Sequence, residues 1–306
     1  MAQRILYFLV PGTNVSPFDV TIAADAGFDQ VIPLTGVKPD QVTAIVQDAI
    51  FCRPPKRFND TGIFIGGREV HVAADMFQIA RRAMVDDFQV GVFADPNGAY
   101  TTSASVIALV ERALLARTGS GYAGRTVAVF GAGPVGLCTA ALAARQGATA
   151  LLCQLTADDD ERVALRFCER YGAKVTWTPA LSQREKRQVL ASADIAICAA
   201  KAGVRILDAE LLDGAARLQV VADTNAVPPS GIEGVGAHDR EALVQRGKAS
   251  FLSLGPLAIG QLKYKTQFAL FRSIQTSPEP ALLDFPEAFR CATDELARAD
   301  AVAAAA

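Results

Sequence analysis

The run Val127-Ala128-Val129-Phe130 passes directly into Gly131-Ala132-Gly133-Pro134-Val135-Gly136, and a largely apolar stretch follows as far as Ala144. An apolar, β-branched segment that meets G-x-G-x-x-G and then a helix-forming stretch constrains the fold more than any other part of this chain. Gly131 permits a tight turn. Gly133 lets the backbone approach a pyrophosphate with no Cβ in the way, and Gly136 lets the helix pack closely on the sheet. Pro134 and Val135 open the helix, where a missing proline N–H costs nothing and the free N–H groups can receive a pyrophosphate. Gly131, Gly133, Pro134, Val135 and Gly136 are therefore the candidate dinucleotide-binding residues.

The flanking sequence alternates strands with helices. Residues 5–10 read as a strand, and Ser16-Pro17 opens a helix with a capping serine and a first-turn proline. Further strands are expected over 31–34, 62–65 and 90–94, with helices over 39–50, 70–84 and 102–115. Thr118-Gly119-Ser120-Gly121 reads as a flexible joint. A second alternating unit begins at 126, with later strands over 149–153, 174–177, 194–199 and 219–222. Ser182-x-x-Glu185 is a capping box for another helix. Two helices, 267–274 and 285–297, close the chain, and the alanine-rich end, 299–306, is expected to fray. The pattern predicts an α/β protein of two domains with parallel sheets covered on both faces. The second is of Rossmann type, and an active-site cleft is expected between the two. The predicted boundaries are 1–118 plus 266–306 for the first domain and 119–265 for the dinucleotide-binding one.

Charge and composition exclude several function classes. The formal charge is −2 over 306 residues, so no basic field exists to hold nucleic acid or an anionic membrane. No uninterrupted apolar stretch of about 18 residues occurs, and the apolar run over 5–10 is too short for a signal-peptide core; a cytoplasmic location is expected. Six cysteines contain no C-x-x-C pair, and the two histidines, His71 and His238, lie far apart. No metal site is expected from that spacing.

The strand over 149–153 should end in the residue that reads the adenosine ribose. It ends in Gln154-Leu155-Thr156, followed by Asp158, Asp159, Asp160 and Glu161. The four carboxylates would repel a 2′-phosphate or charge the next helix N-terminus, a pattern that leans to NAD or to use of both NAD and NADP. Polar residues at other strand ends are Asn14, Thr35, Asp95, Asn97, Asp223 and Asn225. Asp223 and Asn225, before Pro228-Pro229, read as a nicotinamide- or substrate-side loop on a rigid scaffold. Asp95 is either a turn initiator before Pro96 or a site residue. Thr101 and Thr102 either cap a helix or meet a ligand. Phe18 reads first as core and second as a stacking surface. Lys263 and Lys265 would share a face on a strand, whereas on a helix only one can face a site.

Together these segments resemble the bacterial NAD(P)-dependent methylene-tetrahydromethanopterin dehydrogenases, over nearly the whole chain. The resemblance rests on Ser16-Pro17-Phe18-Asp19, Thr35-Gly36, Gly66-Gly67, Phe93 to Gly98 with Thr101-Thr102, and the glycine loop. It continues through Ala222 to Ile232, Gly255 to Gly260 and Lys263 to Gln267. It implies a first domain completed by the C-terminal helices, an inserted dinucleotide domain, and a pterin in the cleft. The implied activity is reversible oxidation of the methylene carrier to the methenyl cation in formaldehyde oxidation, with NAD or NADP as cofactor and a homo-oligomeric assembly. Relatives specific for NADP carry basic residues where this chain has Leu155-Thr156, and some relatives accept tetrahydrofolate. The candidate catalytic residues are then Lys263, Asp95, Asn97 and Thr102. Substrate-binding candidates are Phe18, Asp19, Thr35 and Lys265, and Gln154, Asp223 and Asn225 join the glycine loop on the cofactor. Hydride loss from the methylene carbon releases no proton and requires no general base. A shikimate-type dehydrogenase is the competing enzyme reading, but it needs a proton acceptor, and no paired Lys–Asp motif is apparent in the sequence. A nicotinamide-sensing binding protein would not need the polar loops of the first domain.

Overall fold

The computed structural model describes residues 3–305. The chain divides into two compact units, Met1–Thr101 with Lys263–Ala306, and Thr102–Leu262. The divisions lie inside two long helices, α4 (Ala99–Thr118) and α9 (Pro256–Thr276). The boundaries expected at 118/119 and 265/266 are thus displaced to 101/102 and 262/263. The physical reason is that residues 99–118 contain no glycine or proline to stop a helix, so Thr118–Gly121 ends a helix without separating the units.

The first unit is built on a five-stranded sheet, β1 (Ile5–Val10), β2 (Gln30–Thr35), β3 (Thr61–Ile65), β4 (Gly91–Ala94) and β12 (Leu282–Leu283), in the order β12-β4-β3-β1-β2. Every pairing is parallel. β3 and β4 are buried along their whole length, as continuous apolar runs in a parallel sheet require. Its helices are α1 (Pro17–Asp25), α2 (Val42–Phe51), α3 (Val70–Arg82) and α10 (Phe285–Ala305). Ser16 caps α1 by accepting from the Asp19 N–H at 3.3 Å. Three sequence expectations change here. Residues 39–41 form a separate 3₁₀ turn before α2, α9 begins at Pro256 instead of 267, and α10 carries the alanine-rich end in helix to Ala305. Alanine's high helix propensity sustains that end. The core is aromatic: Phe271 of α9 lies 5.0 Å from Phe64 and 5.2 Å from Phe93, ring centre to ring centre, and Phe8 lies 4.7 Å from Phe64.

The second unit contains β5 (Thr126–Phe130), β6 (Thr149–Gln154), β7 (Val175–Pro179), β8 (Ile195–Cys198), β9 (Val220–Asp223), β10 (Arg240–Arg246) and β11 (Ala249–Leu254). Their order is β10-β11-β9-β8-β5-β6-β7. It reverses between β5 and β8, and ligands of open α/β sheets bind at such switch points. The helices are α5 (Pro134–Arg145), α6 (Glu161–Arg170), α7 (Gln183–Ser192) and α8 (Ala209–Asp213). The capping box forms as expected, with Glu185 N–H on Ser182 Oγ and Ser182 N–H on Glu185. The sheet is mixed, not wholly parallel, because β10 and β11 form an antiparallel hairpin. β10, Arg-Glu-Ala-Leu-Val-Gln-Arg, is a polar edge strand whose apolar pattern is too weak to read from sequence. Among the described residues no helix is long and apolar enough to cross a membrane.

Phe271→Ala removes the ring shared by this aromatic core. It is expected to destabilise the first unit by about 3–5 kcal/mol, measured as a lower midpoint in urea denaturation.

Candidate active site

The first unit buries a charged cluster assembled from three segments distant in sequence. Asp95 ends β4 and turns its carboxylate onto the start of α4. Its Oδ1 accepts from the N–H groups of Tyr100 at 2.9 Å and Thr101 at 3.2 Å, and its Oδ2 accepts from the Thr101 hydroxyl at 2.6 Å. Lys263, on the first half of α9, donates from Nζ to Gln267 Oε1 at 2.6 Å. Gln267 Nε2 in turn donates to Asp19 Oδ1 of α1 at 2.7 Å. Lys263 Nζ also lies 3.6 Å above the centre of the Phe18 ring, a cation–π contact. Asp19, Asp95, Lys263 and Gln267 are all buried, while Phe18 is 48% exposed. The expectation of Phe18 as core is therefore corrected: at the solvent-facing first turn of α1, its ring is open on one side.

Burial shapes the charges. Loss of water raises Asp95 to about 6, against a smaller lowering by Lys263. Asp19 is raised by burial too, partly offset by its bond from Gln267 and the charge of Lys263. Burial lowers Lys263, and the two carboxylates oppose that shift. A buried lysine tethered by an amide and flanked by two carboxylates provides a fixed donor whose charge depends on its neighbours. It is also the Lys–Asp couple that the sequence did not display, because Lys263 and Asp95 stand 168 positions apart in the chain and meet only through folding.

The glycine loop of the second unit fits a dinucleotide. Gly131 has φ +116°, and a Cβ there would stand 2.7 Å from the Ala199 carbonyl oxygen. A Cβ on Gly136 would stand 1.8 Å from the Gly131 carbonyl oxygen, so that residue is required by helix–turn packing. A Cβ on Gly133, by contrast, meets nothing within 4 Å. Gly133 is extended at the N-cap of α5, where no side chain caps the helix and Pro134 occupies the first turn. The arrangement leaves backbone N–H groups at a helix N-terminus with open space before them, which suits a pyrophosphate.

Other candidates lie elsewhere. Lys265 is exposed and lines a groove with Tyr264, Phe268 and Arg272; α9 is a helix, so residues two apart diverge. Thr101, not Thr102, bonds Asp95. Asn97 is exposed at φ +54° within the turn before α4. Asn14 and Thr35 are exposed, the latter ending edge strand β2. Asp223 accepts from the N–H groups of Asn225 at 2.9 Å and Ile232 at 3.1 Å. Asn225 donates to the Pro229 carbonyl and accepts from Val227 N–H. These two side chains hold their own loop. Gln154 Nε2 donates to the Thr156 carbonyl. Gln267 is the residue that sequence reasoning missed; its signal was the i,i+4 spacing from Lys263 on one helical face.

Residues 17–97 match the family model described as methylene-tetrahydromethanopterin dehydrogenase, N-terminal, a span that contains Phe18, Asp19 and Asp95. The chain is 40% identical over 298 residues to the NAD(P)-dependent methylenetetrahydromethanopterin dehydrogenase of Methylorubrum extorquens, covering 96% of this chain and 99% of that protein. It is 30% identical over 294 residues to the bifunctional protein MdtA of the same organism, with the same coverage. Among solved structures, shikimate 5-dehydrogenase from Listeria monocytogenes, in complex with shikimate and NAD, superposes with a TM-score of 0.51 at 14% identity. That match covers 92% of this chain and 94% of the other, a likeness of fold alone.

Two substitutions separate ligand space from packing. Gly133→Val should keep the melting temperature while weakening dinucleotide binding by about 100-fold or more, whereas Gly136→Ala should lower the melting temperature outright; thermal melts and nucleotide titration read both. Asp95 gives a pH signature. Its folded-state pKa of about 6 lies above the ordinary 3.8, so its stabilising contribution is full below 3.8 and is lost as pH rises through 6. Relative to Asp95→Asn, wild type should lose about 2 kcal/mol of stability between pH 4 and pH 7, measured by denaturant titration across that range.

Proposed function

The chain belongs to the NAD(P)-dependent methylenetetrahydromethanopterin dehydrogenases, and on that premise we propose that it moves a hydride reversibly between methylene-tetrahydromethanopterin and NAD(P). The observation that carries this reading is the buried Asp19–Gln267–Lys263 relay beside an exposed Phe18 ring; Asp19 and Phe18 lie in the matched segment. The Phe18 face offers a stacking surface for a planar pterin. Lys263 Nζ has three donors; one serves Gln267, and the remainder can hold a carbonyl on the pterin edge. Gln267 fixes the direction of the relay, because its oxygen faces the lysine and its amide N–H faces Asp19.

Hydride loss leaves a methenyl cation shared between two flanking nitrogens, and no proton moves, so the cluster need not act as a base. Its two carboxylates against one ammonium favour a positive charge developing nearby. Gly131, Gly133, Pro134, Val135 and Gly136 would hold the dinucleotide's pyrophosphate. When bound, the dinucleotide supplies the hydride acceptor. Alignment and exclusion of water remain the protein's contribution. The carboxylates over 158–161 support a lean towards NAD. The same reading makes the protein a cytoplasmic enzyme of formaldehyde oxidation and a homo-oligomer, the latter supported by the solvent-facing groove of Tyr264, Phe268, Leu283 and Val302.

A second reading has one observation behind it: Lys263 and Asp95 interact electrostatically, and such a couple could accept the proton of an alcohol substrate. An assay of reduced nicotinamide formation with methylene-tetrahydromethanopterin, methylene-tetrahydrofolate and shikimate decides between them. The methanopterin carrier should be turned over; silence with both methylene carriers would sink the proposal. Lys263→Ala should lower kcat/KM for the carrier by about 100-fold while nucleotide affinity stays within about twofold. Equal loss of both would remove Lys263 from the pterin side.

A further inference from the structure

We infer that Asp159 is the residue that discriminates between the two nucleotides, favouring the one whose adenosine ribose carries no 2′-phosphate; this rests on the glycine loop being the dinucleotide site. The tip of β6 lies beside that loop. Phe130 of β5 pairs with Cys153 of β6, and the Gly131 N–H donates to the Cys153 carbonyl at 3.1 Å. The residues just past Cys153 therefore stand where an α/β dinucleotide domain reads the ribose. Backbone N–H groups at such a tip are the natural donors to a 2′-phosphate.

Here they are already occupied. Asp159 Oδ2 accepts from both the Leu155 N–H and the Thr156 N–H, each at 3.0 Å. The Gln154 amide donates to the Thr156 carbonyl at 3.0 Å, which commits one of its two N–H groups. The carboxylate is not explained by capping of α6. Asp160 performs that task, accepting from the N–H groups of Arg162 at 2.9 Å and Val163 at 3.2 Å. Between Arg145 and Arg162 the sequence contains no lysine or arginine, and Arg145 is held on the Tyr171 carbonyl. A 2′-phosphate would thus meet a fixed carboxylate on the donors it needs, with no cation supplied from this segment. A 2′-hydroxyl meets the reverse situation. It is a donor, and Asp159 Oδ1 is an acceptor that complements it. The tip that looked neutral in sequence, Gln154-Leu155-Thr156, carries its charge from a residue three positions further on.

The test uses the full-length protein and measures dissociation constants for NAD and NADP by calorimetry. Asp159→Asn keeps an oxygen able to accept from the two N–H groups and removes only the charge. Asp158→Asn removes an exposed charge one residue away. Wild type should bind NAD about tenfold or more tightly than NADP; Asp159→Asn should narrow that ratio by about tenfold, and Asp158→Asn by less than about twofold. Equal wild-type affinity for the two nucleotides would overturn the role of Asp159 and leave the glycine-loop reading standing. So would an unchanged ratio in Asp159→Asn, or an equal change in Asp158→Asn. Failure of folded wild type to bind either nucleotide would instead remove the glycine-loop reading, and this inference with it.

Discussion

The bonds that Asp95 accepts organise the first unit. A carboxylate at the end of a buried strand is costly to desolvate, and here three donors from the first turn of α4 meet it. Those bonds fix how α4 leaves β4 and hold a negative charge inside the fold. The charge has a counterpart in Lys263, which α9 carries in from the far end of the sequence. With Asp19 as a second carboxylate, the buried lysine lies in the field of two opposite charges, and its bond to Gln267 sets its direction. Removing one member of such a set leaves another buried charge uncompensated, a larger loss than the net contribution of the set. Structure and chemistry therefore depend on the same atoms.

The two candidate ligand sites differ in kind. In the second unit the binding feature is backbone: glycines, a helix N-terminus and an open approach at Gly133. In the first unit it is made of side chains, and its properties follow from burial. The pKa shifts of Asp95 and Lys263 have desolvation as their largest cause, and each residue partly restores the other's charge. A hydride transfer that moves no proton can use such a cluster as a preorganised field and as a set of fixed donors. An alcohol oxidation would use it as a proton acceptor, which is why the choice of substrate is the informative measurement.

Much of the fold was legible. The strand–glycine–helix unit, the alternation that demands covered parallel sheets, the Ser16 and Ser182 caps and most strand positions follow from short-range patterns. The errors also have physical causes. Edge strand β10 lacks an apolar run, the helix over 99–118 contains nothing to stop it, and the alanine-rich end has the residue best able to prolong a helix. At the site, Phe18, Asp19, Asp95 and Lys263 were named and lie together, while Thr102, Asn97, Thr35 and Lys265 do not join them. Asp223 and Asn225 carry polar atoms suited to a ligand, yet their bonds close their own loop.

The glycine loop shows where the division lies. By itself the sequence determined that a strand must turn tightly at Gly131 into a helix at Pro134, because each requirement is local and only particular residues meet it. Tertiary structure decided what surrounds such turns. It brought Lys263 to Asp95 and joined Gln267, on the same helical face as Lys263, to Asp19. Local conformational limits act between neighbours in the chain and are written in spacing; charge, burial and hydrogen-bond partners act through space, and here only the packed chain determines them.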